Sequence, residues 1–129
     1  MKVLIDTHVW LWMCDGFERI GVRAREVLAD PETEILISSA SVWEIAIKYR
    51  LGKLRLPEPP DRWAPTRRSA VGGTALPVTH AHAAAVADLP DHHQDPFDRL
   101  LIAQALLERT PIVTADGVFA SYGVEVTWG

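Results

Sequence analysis

Positive charge is in short supply. The chain carries 13 Lys and Arg against 17 Asp and Glu, a net charge of −4. That balance argues against broad electrostatic capture of nucleic acid by the whole surface. It leaves room for a nuclease, because a bound divalent cation inverts the sign locally. Cysteine is almost absent as well. Cys14 stands alone, so no internal disulfide forms, which fits a reducing compartment. Its neighbours Trp10, Leu11, Trp12 and Met13 point to a packed core thiol rather than a reactive one. No apolar run approaches the roughly 20 residues that span a membrane. The first residues lack the basic-then-apolar layout of a secretion signal. Neither repeats nor low-complexity linkers occur.

What is present is ordinary globular composition, 48% hydrophobic and 23% charged over 129 residues. That suffices for one domain with its own core, spanning residues 1–129. Apolar periodicity predicts a strand over 2–6, helices over 8–15 and 22–30, and a buried strand over 34–38, "EILIS". A helix over 41–51 follows, closed by Gly52. The proline-rich stretch 57–73 is the least regular and predicts one short helix around 63–70. Then come a strand over 74–77, a helix capped by Thr79 and running to Leu89, and a helix from Asp95-Pro96 to Arg109. Strands over 111–114 and 124–127 close the chain. Short apolar strands alternating with helices predict an α/β fold with a parallel sheet. Ligands of such sheets sit outside the carboxyl ends of the strands.

Four acids fall where that rule would gather them. Asp6 follows "VLI", Glu44 lies early in the helix after "ILISSA", Asp98 opens the helix of "DPFDRLLIAQA", and Asp116 follows "PIVTA". Two carboxylates about 4 Å apart repel by roughly 4 kcal/mol at an effective dielectric near 20. A pocket of several acids therefore raises their pKa values or takes up a cation. Oxygen-only ligands favour Mg2+ or Mn2+ over zinc. Each acid also has a plainer reading. "SVWE" fits a capping box in which Glu44 bonds back to Ser41. Asp95 and Asp98 suit the start of a helix, and Asp116-Gly117 suits a turn. The four together favour the metal.

"LIDTH", "SSASVWEIAIK", "DPFDRLLIAQA" and "IVTAD" resemble, in order and over nearly the whole chain, the motifs of the PIN-domain family. The likeness is greatest to VapC-type toxins of bacterial toxin–antitoxin pairs. The resemblance implies a three-layer α/β/α sandwich with a central parallel sheet. It implies a Mg2+- or Mn2+-dependent endoribonuclease of the bacterial cytoplasm that cuts structured RNA such as tRNA or rRNA. Carried over, the family's catalytic acids fall on Asp6, Glu44, Asp98 and Asp116, with Asp6, Asp98 and Asp116 nearest the metal. Thr7, Thr114 and Arg99 fall beside them as expected substrate contacts, while Asp95 is extra to the pattern. The implied partners are a cognate antitoxin, whose tail covers an apolar groove by the first helices, and a second copy of the chain.

Arg62, Arg67 and Arg68 form a small basic cluster that reads as a solvated face or a phosphate rail. His80 and His82 lie two apart on a predicted helix and so face different ways. His92 and His93 sit in a loop without cysteine partners, and all four histidines are expected not to bind metal. A signalling receiver domain also gathers acids around Mg2+, but the lysine it needs after a late strand is missing from "VTWG". A phosphatase would want Asp-x-Asp where this chain has "DTH". The remaining alternative is a catalytically silent PIN-like module that binds RNA or protein.

Overall fold

The structure, a computed structural model, describes residues 1–129. Five strands form one parallel sheet in the order β3-β2-β1-β4-β5: β1 Lys2–Ile5, β2 Glu34–Ser38, β3 Gly73–Leu76, β4 Ile112–Val113 and β5 Val126–Thr127. Six α-helices flank it: α1 Thr7–Cys14, α2 Val22–Ala29, α3 Ser39–Arg50, α4 Pro60–Ala70, α5 His80–Ala85 and α6 Pro96–Glu108. Alternate residues of each central strand enter opposite cores. Val3, Ile5, Ile35, Ile37 and Val113 pack with Trp10, Ile45 and Trp63 on one face. Leu4, Leu36 and Ile112 pack with Leu101, Ile102 and Phe119 on the other. The unbroken apolar runs in the sequence are thus strands covered on both sides, and the α/β/α sandwich stands.

Several boundaries move, for local reasons. Helix α3 starts at Ser39, before the expected Ser41, because the Ser38 side chain accepts the Ala40 N–H at 3.0 Å. The capping box from Ser41 to Glu44 is therefore not formed. Ser41 lies inside the helix and its hydroxyl accepts from Thr7. In the proline-rich stretch the helix begins at Pro60 rather than near Trp63. A proline at the first helical position forfeits only an N–H that has no partner there. The helix after Thr79 stops at Ala85, and a 3-10 turn carries the chain to Asp88.

Sheet register sets the site. Leu4 pairs with Ile112 and Ile5 with Val113, so β1 and β4 end level. Asp6 then donates its N–H to the Val113 carbonyl at 3.1 Å. The residues that follow these strands emerge side by side at one edge of the sheet.

Candidate metal centre

Asp6 lies at the junction of β1 and α1. Its Oδ1 caps α1 by accepting the Val9 N–H at 2.9 Å, and its Oδ2 accepts the Thr114 hydroxyl. The Thr114 oxygen in turn accepts the Asp116 N–H at 3.0 Å, so one buried threonine sets the place of two acids. Burial pushes the Asp6 carboxyl above the usual carboxylate range, against the pull of those hydrogen bonds.

Asp98 comes from the first turn of α6. Asp95 caps that helix, its Oδ1 accepting from Phe97 and Asp98 at 2.8 and 3.0 Å. Asp98 is pushed up to about 7, by burial first and then by the negative charges of Asp95, Glu44 and Asp6, with His93 opposing. Asp6, Asp98 and Asp116 line one cavity of about 390 Å3 together with His8, Trp12 and Ala115. Glu44 is 3% exposed. Its Oε2 accepts from Lys48 Nζ at 2.6 Å, while Oε1 is buried without a partner. An orphaned, buried carboxylate oxygen is costly unless a cation or water meets it.

One site residue was not anticipated. His93 reaches between two of the acids, with Nε2 2.8 Å from Asp116 Oδ2 and 3.1 Å from Asp98 Oδ2. Its Nδ1 accepts the Asp95 N–H at 3.1 Å. By that hydrogen-bond geometry the neutral ring carries its proton on Nε2 and donates it to the carboxylates. Although His93, Asp98 and Asp116 bring potential ligand atoms within 4.8 Å of one another, a donating Nε2 has no lone pair for a metal. Sequence spacing hid this residue, because the His93–Asp116 pair crosses 23 positions.

The three expected substrate contacts are engaged within the protein. Thr7 and Thr114 are 3% and 1% exposed, and their hydroxyls are spent on Ser41 and Asp6. Arg99 is a strap inside the protein. Its guanidinium donates to the carbonyls of Val86, Leu89, Pro90 and His93 at 2.9–3.3 Å, holding the loop that carries His93. Of these side chains Thr114 places Asp6 and Asp116, Thr7 braces Ser41, and Arg99 holds the His93 loop. His80 and His82 lie elsewhere. His82 closes a capping box with Thr79 and meets Glu108, while His80 is exposed. The basic cluster divides, since Arg68 donates to the Gly73 carbonyl and Arg67 lines a separate groove.

The donor set suits a hard divalent cation: carboxylate oxygens, one of them orphaned, around an acid already forced toward protonation. Acids gathered at the carboxyl edge of a parallel sheet define a class of α/β proteins that handle charged ligands there. The PIN domain sequence model matches residues 3–125, and the chain belongs to the PIN-domain family. Ribonuclease VapC16 of Mycobacterium tuberculosis is 50% identical over 60 residues, which is 46% of this chain and 43% of that protein. The aligned stretch thus covers under half of the curated relative. The fold is shared with the VapBC2 structure from Rickettsia felis bound to a promoter DNA fragment, with TM-score 0.74, 17% identity and full coverage of both chains. It is also shared with the DNA-bound VapBC structure from Salmonella typhimurium, with TM-score 0.69, 16% identity, and 98% and 96% of the two chains covered.

Proposed function

We propose that residues 1–129 act as a single PIN-like domain, a metal-dependent endoribonuclease serving as the toxin of a toxin–antitoxin pair. The observation that carries this reading is the cavity lined by Asp6, Asp98 and Asp116, with the unpartnered Glu44 oxygen contributing charge to it. The similarity to Ribonuclease VapC16 supports the ribonuclease assignment.

Asp6, Asp98 and Asp116 would hold Mg2+ or Mn2+, with Glu44 as a further ligand or a partner of bound water. A divalent ion in such a site lowers the pKa of a water and stabilises charge on the phosphate and leaving oxygen. The protein supplies placement. Thr114 fixes Asp6 and the Asp116 backbone, Asp95 fixes Asp98, and His93 turns its N–H toward Asp116. A carboxylate left outside the coordination takes the proton of the attacking water.

A second groove of about 480 Å3, which shares Trp12 with the acid cavity, runs along α1, with Leu11, Leu54, Leu56, Trp63 and Arg67 in its lining. It suits an apolar antitoxin segment carrying acidic side chains. Homodimerisation, tRNA or rRNA as substrate, and a cytoplasmic setting belong to the same reading. No helix is long and apolar enough to cross a membrane.

Purified protein free of any partner should cut labelled cellular RNA into discrete fragments with Mn2+ or Mg2+, and not with chelator or as Asp98→Asn. Cleavage that persists in Asp98→Asn would overturn the metal-site assignment. Absence of both cleavage and metal binding would leave a silent binding module.

A further inference from the structure

The cavity that holds the acids is lined by two rings as well. Its lining contains Asp6, Asp98 and Asp116 but no lysine or arginine, and the chain as a whole is negative at −4. Phosphates alone would be repelled there, and one divalent ion offsets only part of the carboxylate charge. A nucleic acid that binds at this edge must draw affinity from something other than phosphate contacts.

Besides the acids and Ala115, the lining holds His8 and Trp12. They lie four apart on α1, hence on one face of the helix, and their ring centroids are 6.0 Å apart at 45°. His8 is exposed and Trp12 half-buried. Trp12 is backed by Trp128, with centroids 5.8 Å apart, so the indole has support behind it. The helix that carries both rings is the one Asp6 caps.

We infer that His8 and Trp12 form a stacking subsite for an unpaired nucleobase of the RNA strand whose phosphate meets the acids. The inference rests on the ribonuclease reading and deepens it, since the enzyme would engage single-stranded or looped RNA in which bases are free to leave the helix. Bases offer π-faces whatever their identity, so stacking supplies affinity without cations. The cavity volume of about 390 Å3 lies within the roughly 300–1,000 Å3 typical of small-ligand sites.

The test uses the full chain in an Asp98→Asn background with Mg2+, and fluorescein-labelled single-stranded RNA read by anisotropy. Trp12→Ala should weaken binding about tenfold or more, within the range seen when a stacked base loses its aromatic partner. Trp12→Phe should restore most of the affinity. His8→Ala, at an exposed position, should weaken binding a few-fold without affecting the fold. RNA with abasic sites should bind the parent chain more weakly and show little further loss with Trp12→Ala. Equal affinity in all variants, or no effect of abasic sites while wild-type protein still cleaves RNA, would overturn the stacking subsite and leave the ribonuclease intact. Unchanged RNA affinity with loss of a dimer on sizing would assign the two rings to a second copy of the chain instead. Absence of both RNA binding and cleavage would remove the ribonuclease reading and the subsite with it.

Discussion

Asp6 and Asp98 look into the same cavity but are held by unlike means. Asp6 is placed by the sheet and the helix it caps: β1 and β4 end in register, and its carboxylate oxygens accept from Val9 in the first turn of α1 and from Thr114 just past β4. Asp98 sits on a helix whose approach is a strapped loop, tied by Arg99 to four carbonyls and by His93 to Asp116. The first acid shares the stability of the core. The second depends on local bonds that can fail while the sheet persists.

The largest effect that separates the two is electrostatic. The folded pKa of Asp98, about 7, lies above the roughly 3.9 of an unfolded aspartate. Between those values the folded chain holds a proton that the unfolded chain releases. Stability in chelator should therefore fall as pH rises from about 4 to about 7. Asp98→Asn should flatten that slope and leave the metal-free protein roughly 2–4 kcal/mol more stable than wild type at pH 8. Urea unfolding at pH 5 and pH 8 checks this, and parallel wild-type and variant curves would show that Asp98 ionises freely. Added Mn2+ should reverse the trend, with its stabilisation growing toward high pH as the carboxylates lose their protons.

Next in size is Thr114→Val, which strips Asp6 of a buried donor and leaves the Asp116 N–H without its acceptor. A loss of about 2–3 kcal/mol in global stability is expected, measurable as a lowered denaturation midpoint. Arg99→Lys should cost about 1–2 kcal/mol, because one ammonium cannot replace a guanidinium fork spread over four carbonyls. Here hydrogen exchange should quicken in residues 86–95 while β1 and β4 stay protected. Protection lost equally in both regions would erase the distinction between sheet and strap. The smallest change belongs to His93→Gln. A glutamine amide also donates, so Mn2+ affinity should stay within a few-fold of wild type. A loss as great as that of His93→Leu would mark His93 as a ligand.

The parallel sheet was legible because "VLI" and "ILI" admit hardly any other reading than strands covered on both faces. Asp6, Asp98 and Asp116 were legible because each follows a strand or opens a helix, so chain order sends them to one edge. Glu44 was ambiguous, since "SVWE" mimics a cap, and only the Ser38 hydroxyl bond to Ala40 removed that choice. Arg99 and His93 were not readable. Their partners are backbone carbonyls and a carboxylate far along the chain, and no side-chain period records those contacts. Thr7 and Thr114 stood beside the acids in sequence, and the structure buries both with their hydroxyls bonded inside the protein.

The strain on Asp98 also bears on how such a chain drifts under mutation. At most buried positions a substitution that abolishes function weakens the fold as well, and selection against misfolding removes it. If Asp98 serves the proposed metal site, the two effects part company there, because neutralising the carboxyl relieves first its burial as a charge and then its repulsion by Asp95, Glu44 and Asp6. An inactive descendant altered at this position would be sturdier than its parent in the absence of metal.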